Sequence, residues 1–375
     1  MLLQNKKIAV IGGGPVGLTF AKLLQQANVN VNVYEWDKDE FARIKGGTLD
    51  IHNDYGQIAL EKAGLLSEYY KRSRPTGERS ANIKAEILLD EFPDKEHLYD
   101  KPEIDRNDLR KMLLENLKPN TIVWDSKFVS LEQQGEQFQL HFESGKTEIA
   151  DLVVGANGGI SNVRKHLTNA QLQYTGTIII QGEVFNPNEN CPNFKNLCGE
   201  CNLAVIGEQK FFFSQNKARG ALNYYVSFRK PEIWIKQNRL DFHNNKEICS
   251  FLTNMLSNWN DVYKELFAAT DEFTLLPMRK LPLGTWQPHQ NITLIGDAAH
   301  VMPPFSGIGV NIGLLDALYL AENLTNGQIP DTQTAISNYE KKMFEYATEA
   351  QQITTEAEKG IHSDKDFSEI LKDKR

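Results

Sequence analysis

Residues 7–35 read KIAVIGGGPVGLTFAKLLQQANVNVNVYE, and this stretch decides the fold. It begins with a short apolar run, Ile8 to Ile11, which is rich in β-branched residues and too short for a helix. Such a run predicts a buried parallel strand. The spacing G-x-G-x-x-G follows at once from Gly12 to Gly17, and apolar residues at helical spacing come next. A second β-rich run, Val29 to Tyr34, ends in Glu35, so the stretch predicts a βαβ unit.

Each part of this unit suits a dinucleotide. Gly12 permits the tight turn, Gly14 lets the backbone approach a pyrophosphate, and Gly17 lets the helix lie close to the strand. The N-terminus of the helix offers unpaired N–H groups and a positive dipole end to the diphosphate. Glu35, at the end of the second strand, can accept hydrogen bonds from ribose hydroxyls. The unit alone fits the adenosine ribose of either FAD or NAD.

Composition narrows the class of protein. The chain has 375 residues, of which 41% are hydrophobic and 24% charged, as expected for a globular protein. Its net charge of −8 argues against a nucleic-acid surface and gives no reason to expect membrane binding. We find no apolar run of membrane-spanning length. The first strand begins so soon after Met1 that we expect no signal peptide, and hence a cytoplasmic enzyme.

The four cysteines carry one pattern. Cys198 and Cys201 have the C-x-x-C spacing of a zinc half-site or a redox pair, and Cys191 and Cys249 lie apart. The sequence shows no second pair and no histidine pair that would complete a zinc site. We therefore expect free thiols in a reducing compartment, and no bound metal.

Residues 292–317, ITLIGDAAHVMPPFSGIGVNIGLLDA, form the second informative segment. Asp297 follows a predicted buried strand, and the carboxyl ends of such strands are where open α/β sheets bind ligands. Its carboxylate can accept a hydrogen bond from a ribitol hydroxyl. Pro303 and Pro304 stiffen the loop. Gly307 to Asn311 then places backbone N–H groups at a helix start, where they favour negative charge on a reduced flavin ring.

With these motifs the chain resembles the single-component FAD-dependent aromatic hydroxylases, a family similar to p-hydroxybenzoate hydroxylase. The family joins the early G-x-G-x-x-G and acid to a late G-D-A-A-H-x-x-x-P-x-x-G-x-G-x-N, here Gly296 to Asn311. Its middle motif, D-G-x-x-S-x-x-R, matches at Gly158, Ser161 and Arg164 and departs at Asn157.

The segments ARIKGGTLDIH, PEIDRNDLR and HVMPPFSGIGVN look more specifically like the tetracycline-inactivating flavin monooxygenases, over nearly the whole chain. That resemblance implies that Arg43 contacts NADPH and that Asp50, Arg106 and Asp297 contact FAD. It also implies that Gln181 contacts the substrate. The complete set of cofactor residues implied by the motifs is Gly12, Gly14, Pro15, Val16, Gly17, Glu35, Arg43, Asp50, Arg106, Asp297, Pro304, Gly307, Gly309, Val310 and Asn311.

The departures from the subgroup lie mainly in the substrate region. Asn202 stands where the subgroup has a substrate-contacting arginine, and Asn223 stands where it has a histidine. Ile308 replaces a glutamine, and Trp36 replaces an arginine after the ribose-binding glutamate. We still assign Asn202 and Asn223, with Gln181, to the substrate site. Losing a cation and an imidazole changes recognition of a polar substrate by about 1–3 kcal/mol per contact.

Several of these residues also have a plain structural interpretation. Arg43 and Arg106 could be solvated arginines, Asp50 could cap a turn, and His300 could be a buried structural residue beside the flavin. The aromatic residues 211–213 and 224–225 fit sheet packing better than a substrate cage.

Together these features predict an α/β fold: an interrupted Rossmann-type FAD-binding domain, an inserted, mainly antiparallel β-sheet substrate domain and a long C-terminal helix. The expected division is 1–72, 101–168 and 285–325 for the FAD-binding domain, 73–100 and 169–284 for the substrate domain, and 326–375 for the bridging helix.

The resemblance implies a monomeric FAD-dependent monooxygenase in which NADPH is the reductant and O₂ the co-substrate. It implies hydroxylation of a small polycyclic or aromatic substrate, of the tetracycline type, through a flavin C4a-hydroperoxide. The open alternatives are a hydroxylase of another phenol, a flavin dehydrogenase or reductase without oxygen transfer, and a non-enzymatic FAD-binding protein.

Overall fold

The computed structural model describes residues 2–42 and 46–365, which form four β-sheets and two hydrophobic cores. The strands are β1 Ile8–Ile11, β2 Val31–Tyr34, β3 Thr48–Asp50, β4 Gly77–Ala81, β5 Ile87–Glu91, β6 Glu103–Asp105, β7 Ile122–Val123, β8 Phe128–Gln134, β9 Gln137–Phe142, β10 Thr147–Ala150, β11 Leu152–Gly155, β12 Gln173–Val184, β13 Cys201–Gly207, β14 Lys210–Asn216, β15 Leu222–Arg229, β16 Glu272–Lys280 and β17 Ile292–Leu294. The α-helices are α1 Pro15–Gln26, α2 Gly56–Lys62, α3 Leu66–Arg72, α4 Arg106–Glu115, α5 Pro187–Asn190, α6 Pro192–Cys198, α7 Glu232–Gln237, α8 Asn245–Met255, α9 Asp261–Ala268, α10 Asp297–His300, α11 Gly309–Thr325 and α12 Thr332–Ile361.

The first sheet has the order β17-β11-β1-β2-β7, and its strand pairs are all parallel. Ile8 pairs with Val31 on one side and with Leu152 on the other, so the βαβ unit lies in the middle of the sheet. Because parallel strands end at one edge, the turns after β1, β11 and β17 come together there. This is the predicted Rossmann-type sheet, built from the start, the middle and the last third of the chain.

Helices α1 and α11 cover one face of this sheet. Leu18 and Phe20 of α1 and Leu314 of α11 are fully buried in its core. The close approach of α1 depends on Gly17, since a Cβ there would lie 3.1 Å from the Ala156 side chain and 3.3 Å from Val10. The glycine that the motif requires for packing therefore has that function in the structure.

The largest sheet has seven strands in the order β16-β12-β15-β14-β13-β4-β5. Its pairs are antiparallel apart from β13 with β4. One face packs on α6, α8 and α9, through buried residues such as Phe212 and Tyr224. The other face carries polar and half-buried aromatic residues. The prediction of an inserted, mainly antiparallel sheet is confirmed.

Two details of this sheet differ from the sequence prediction. The sequence of residues 72–100 predicts irregular structure around one short strand, Ile83 to Leu89. The structure has two strands there, β4 and β5, because a tight turn closed by Ala85 N–H to Asn82 O lies between them. Strand β16 was not predicted at all. Its residues are mostly half-buried and include Pro277, so neither a buried run nor a clean alternation marks it.

The apolar period of residues 55–70 predicts one helix, and the second glycine turn, at 157–159, predicts another directly after it; both predictions are wrong. The helix expected over 55–70 is divided into α2 and α3, because Gly64 adopts a φ of +70° that ends the first helix. The turn after β11 leads into a single 3₁₀ turn, Val163–His166, rather than an α-helix.

Helix α12 packs along the Rossmann-type core and reaches the seven-stranded sheet with its last turns. Ile336, Tyr339 and Met343 are buried in that core. Near the C-terminal end, Glu358 accepts hydrogen bonds from the Thr175 and Thr177 hydroxyls of β12, at 2.6 and 2.5 Å. Among the residues described, no helix is both long and apolar enough to cross a bilayer.

Candidate functional site

The glycine turn after β1 has the geometry that its motif predicts. Gly12 has a φ of +112°, which an L-residue with a side chain rarely adopts. Glu35 is buried, and its carboxylate accepts hydrogen bonds from the N–H of Gly13 and from the N–H of Asp37 at 3.1 Å. At Gly14 a Cβ would have no protein atom within 4 Å. The backbone there is therefore open to a ligand, with Pro15 and Val16 opening α1 directly beyond it.

The turn after β17 lies at the same edge of the sheet and is held by Arg164. Its guanidinium donates to the carbonyl oxygens of Ala298 at 2.8 Å, Asp297 at 3.0 Å and Gly159 at 2.7 Å. The Asp297 side chain is itself exposed to the cleft. The surrounding protein nevertheless raises its pKa by desolvation, which outweighs the opposing charges of His300, Arg106 and Arg164.

Behind this turn, Asp316 of α11 ties three parts of the chain together. Its carboxylate accepts the Gly296 N–H at 2.6 Å, contacts His300 Nε2 at 2.6 Å and accepts the Tyr346 hydroxyl of α12. Burial by itself would lower the pKa of His300, but the charge and hydrogen bond of Asp316 raise it. His300 is 1% exposed and its Nε2 contacts Asp316, which fits a buried structural residue.

Strand β3 is held next to the late glycine loop by Asn311. The Asn311 amide donates to the Asp50 carbonyl at 2.9 Å and accepts from the His52 and Gly56 N–H groups at 2.8 and 3.3 Å. Gly307 has a φ of +70°, and a Cβ there would lie 3.7 Å from the Asp50 carboxylate. The structure therefore brings together Asp50, Pro304, Gly307, Gly309, Val310 and Asn311.

Arg106, the first residue of α4, lies on the other side of β3. Its Nε donates to the Gly47 carbonyl at 3.2 Å, and a Cβ on Gly46 would come within 3.0 Å of it. Its charge opposes the rise in the pKa of Asp297, so the two side chains lie within electrostatic reach of each other. The predicted NADPH contact, Arg43, lies outside the described residues.

The polar face of the seven-stranded sheet approaches β3 at Gly47. The Gly47 N–H donates to the Tyr225 hydroxyl at 2.8 Å, and a Cβ there would lie 3.0 Å from Asn223 Nδ2. Gln181 donates to Asn223 Oδ1 at 2.9 Å across neighbouring strands. Asn202 donates to Glu103 on β6. The three predicted substrate residues therefore share this face with Tyr225.

The aromatic residues of the sheet divide between its two faces. Phe212 and Tyr224 stack in the core with ring centroids 5.8 Å apart. Phe211 and Phe213 stack at 5.9 Å on the opposite, half-buried face, beside Tyr225. Phe212 and Tyr224 therefore belong to the packed core, whereas Phe211, Phe213 and Tyr225 border the cleft.

Comparisons with known proteins agree with this geometry. The model of the family described as "FAD binding domain" matches residues 5–352. The chain belongs to this family. It is 27% identical to monooxygenase asqM of Emericella nidulans over 94% of this chain and 95% of that protein. It is 28% identical to the 6-hydroxynicotinate 3-monooxygenase of Pseudomonas fluorescens over 94% and 91% of the two chains.

A solved structure extends the likeness to the fold as a whole. Tetracycline destructase Tet(55) has a TM-score of 0.78, with 20% identity, over 100% of this chain and 95% of that one. The resemblance to the FAD-dependent hydroxylases is thereby confirmed at the level of family and fold. The protein is an FAD-dependent monooxygenase.

The residues present fit FAD. Gly14 and Gly309 both leave open space where a Cβ would stand, which suits close approach by a ligand to two helix N-termini. Asp297 is a carboxylate exposed to the cleft between those turns. Glu35, although already bonded twice, retains lone pairs for ribose hydroxyls.

Sequence reasoning missed three residues of this region as site residues. Arg164 was noticed only as part of a motif, whereas Glu103 and Gln215 were not considered. Glu103 is 3% exposed and bonds Thr48, Asn202 and Gln215. Glu103 stands among other charged residues in the segment before α4, DKPEID at 100–105, so no local pattern marked it.

Proposed function

We propose that this monooxygenase uses NADPH to hydroxylate a small aromatic or polycyclic substrate bound between β3 and the polar face of the seven-stranded sheet. The observation that carries the proposal is the juxtaposition of two sheets. The ends of parallel strands hold the glycine turn and Asp297 on one side, and Gly47 meets Asn223 and Tyr225 on the other. A ligand bound at the strand ends would therefore face residues of a different sheet.

In this proposal each element has a separate task. Gly12, Gly14 and Gly17 with Glu35 would hold the adenosine diphosphate, and Asp297 the ribitol. Asp50, Arg106 and the loop from Pro304 to Asn311 would hold the flavin ring. The domain division given above follows from the same assignment, with residues of the seven-stranded sheet holding the substrate.

When bound, the flavin supplies electron transfer from the nicotinamide and activation of O₂, so we assign no catalytic side chain and the chain needs no metal and no nucleophilic triad. The chain's own contribution is to position the ring and the substrate and to exclude water. Arg164 fixes the backbone that carries Asp297, and Asn311 fixes β3. Gly47, without a side chain, lets β3 approach the substrate face.

The test is turnover of the FAD-loaded protein with a panel of phenols and tetracyclines. Under ¹⁸O₂ we expect substrate-stimulated NADPH oxidation and a product that gains one labelled oxygen atom. Oxidation of NADPH with no labelled product would identify a dehydrogenase or reductase instead. A protein that binds FAD but oxidises neither NADPH nor NADH would be a non-enzymatic FAD-binding protein. Faster oxidation of NADH would overturn the choice of NADPH.

Tetracyclines are the second candidate substrate class. The segments GGTLD and PPFSGIGVN and the position of Gln181 favour them, whereas Asn202 and Asn223 lack the cation and imidazole of that subgroup. The double substitution Asn202→Arg and Asn223→His should therefore raise tetracycline turnover about tenfold or more. Unchanged or lower turnover in a folded, FAD-loaded variant would exclude this class.

We also propose a monomer in the cytoplasm. The four cysteines are free thiols, and Cys198 and Cys201 are buried in the sheet region. Thiols of this kind suit a reducing compartment that supplies NADPH. Sedimentation velocity of the FAD-loaded protein checks the monomer.

A further inference from the structure

Three amides form a row on adjacent strands of the substrate face, and one buried carboxyl group orients two of them. Glu103 Oε1 accepts hydrogen bonds from Asn202 Nδ2 on β13 and from Gln215 Nε2 on β14, the latter at 3.2 Å. Thr48 of β3 donates its hydroxyl to Glu103 Oε2. Gln215 in turn lies opposite Asn223 of β15. The row therefore crosses three strands directly beside Gly47.

The carboxyl oxygen decides which way two of these amides face. Because Oε1 accepts both bonds, the NH₂ groups of Asn202 and Gln215 point to Glu103 and their carbonyl oxygens point away. This holds whether or not Glu103 is protonated, since a proton on Oε2 leaves Oε1 an acceptor. Burial raises the pKa of Glu103, so the fold disfavours negative charge at this place.

Two atoms of the row are buried and have no hydrogen-bond partner: Asn202 Oδ1, an acceptor, and Asn223 Nδ2, a donor. Gln181 donates to Asn223 Oδ1, which turns the Nδ2 group away from β12. An unsatisfied buried polar atom costs about 1–3 kcal/mol, and native proteins rarely keep one without a ligand or water. The two atoms are therefore complementary to a ligand that offers one donor and one acceptor.

The sheet geometry separates those two ligand groups. Strand β14 lies between β13 and β15, so the strands that carry the two asparagines are about 10 Å apart. Polar groups on one edge of a ring cannot reach both atoms, whereas groups on opposite edges of the same ring can. Among the described residues near the row, Lys217 pairs with Glu183 at 2.8 Å and Arg74 with Asp105 at 3.1 Å, which balances both charges, although the buried Nη1 of Arg74 has no hydrogen-bond partner.

We propose that the substrate is an uncharged ring with an O–H or N–H group on one edge and a carbonyl on the opposite edge. Asn202 Oδ1, set by Glu103, accepts the donor, and Asn223 Nδ2 donates to the carbonyl. Glu103 acts as a positioning residue. This inference rests on the proposed function, because it identifies the substrate of that same site.

Three probes of similar size test this proposal. Each is titrated into the FAD-loaded protein at about pH 6.5, and binding is followed by the difference absorbance of the flavin. They are 4-hydroxyacetophenone, 4-methoxyacetophenone, which lacks the donor, and 4-hydroxybenzoate, which replaces the ketone with a carboxylate. We expect 4-hydroxyacetophenone to bind about tenfold tighter than either of the others. Equal binding of all three, tighter binding of 4-hydroxybenzoate, or no binding up to about 10 mM would overturn the proposal.

Variants separate recognition from folding. Asn202→Leu should remove the preference for hydroxyl over methoxy, and Asn223→Leu should weaken both ketones about tenfold. Glu103→Met removes the acceptor oxygen and releases the Asn202 amide, so it should also reduce the hydroxyl preference, whereas Glu103→Gln keeps an acceptor oxygen and should retain it. Asn169→Leu, at an exposed position, is the matched control and should retain it. Preference retained in Asn202→Leu would contradict the assignment. Failure of the proposed function would show differently, as loss of FAD binding or of labelled oxygen in the product.

Discussion

Gly13 and Gly14 are adjacent in the sequence but have different surroundings. A Cβ on Gly13 would lie 2.8 Å from Glu35 Oε2, whereas a Cβ on Gly14 would have no protein atom within 4 Å. The backbone of Gly14, with φ −77° and ψ 173°, also accommodates alanine. A substitution at Gly13 therefore tests packing within the protein, whereas one at Gly14 tests the approach of the ligand.

We expect Gly14→Ala to weaken FAD binding by about tenfold to a hundredfold, because its methyl group stands where the pyrophosphate approaches. The free energy of unfolding of the FAD-free protein should change by less than about 0.5 kcal/mol. Gly13→Ala should weaken FAD binding and also lower the free energy of unfolding, since it displaces Glu35. Flavin fluorescence titration and urea unfolding measure them. Gly284→Ala, another open position, is the control; a Gly14→Ala protein that binds FAD normally would contradict the assignment of the turn.

At the scale of elements, α12 is held by its buried face rather than by intrinsic helix propensity. Ile336 is fully buried against the Rossmann-type core, whereas Ile353 on the same helix is 47% exposed. Most helical stability in proteins comes from packing of this kind. The two isoleucines therefore report on the docking of the helix.

Ile336→Asp should destabilise the protein by more than about 4 kcal/mol, because it buries an unpaired charge and removes apolar packing. Ile353→Asp should cost less than about 1 kcal/mol. Chemical unfolding followed by circular dichroism gives both values. Similar losses in the two variants would mean that α12 does not dock through the face described.

Elements with strong local patterns could be predicted from the sequence. The short apolar runs of β1, β11 and β17 predict the parallel sheet. The amphipathic period over residues 332–359 predicts α12, which ends at Ile361. Strand β16 could not be found, since its burial depends on β12 beside it. The break at Gly64 was missed because the apolar positions on either side keep a helical period.

At the scale of the whole molecule, the end of α12 joins the two cores. His362 contacts the Ser227 hydroxyl of β15 at 2.7 Å, donates through Nδ1 to the Glu358 carbonyl and packs edge-on against Phe305 of the late loop. Burial is the main reason that its pKa is lowered, Arg229 lowers it further, and the bond to the Glu358 carbonyl and the Glu358 charge oppose this.

A base with a lowered native pKa binds fewer protons when folded than when unfolded. The unfolded chain takes up its proton near pH 6.5, so His362 costs stability as the pH falls below that value, until the native pKa is also passed. We expect the thermal midpoint to fall more steeply between about pH 6.5 and 5 than in His362→Gln, and the two to run parallel above about pH 7. Calorimetry over this range measures the difference. Parallel curves throughout would show that His362 is not buried as described.

The candidate site was only partly predictable, because some of its residues meet only in the folded chain. The glycine turn, Asp297 and the late loop carry their chemistry in local motifs, which a sequence displays directly. Glu103 and Gln215 meet only because β6 lies beside β13 and β14, more than ninety residues further along the chain. No local pattern records such a meeting.

The order of the strands also bears on biosynthesis. The central strand β1 leaves the ribosome first, but its partner β11 follows only at Leu152, and β17 at Ile292. At about 5–20 residues per second, the wait amounts to tens of seconds. When Asp316 has also been synthesised, its carboxylate still lacks the hydrogen bond from the Tyr346 hydroxyl. The nascent chain must therefore carry an uncovered apolar strand edge until Ile292 has been synthesised, and the cofactor site is complete only after Tyr346 has followed.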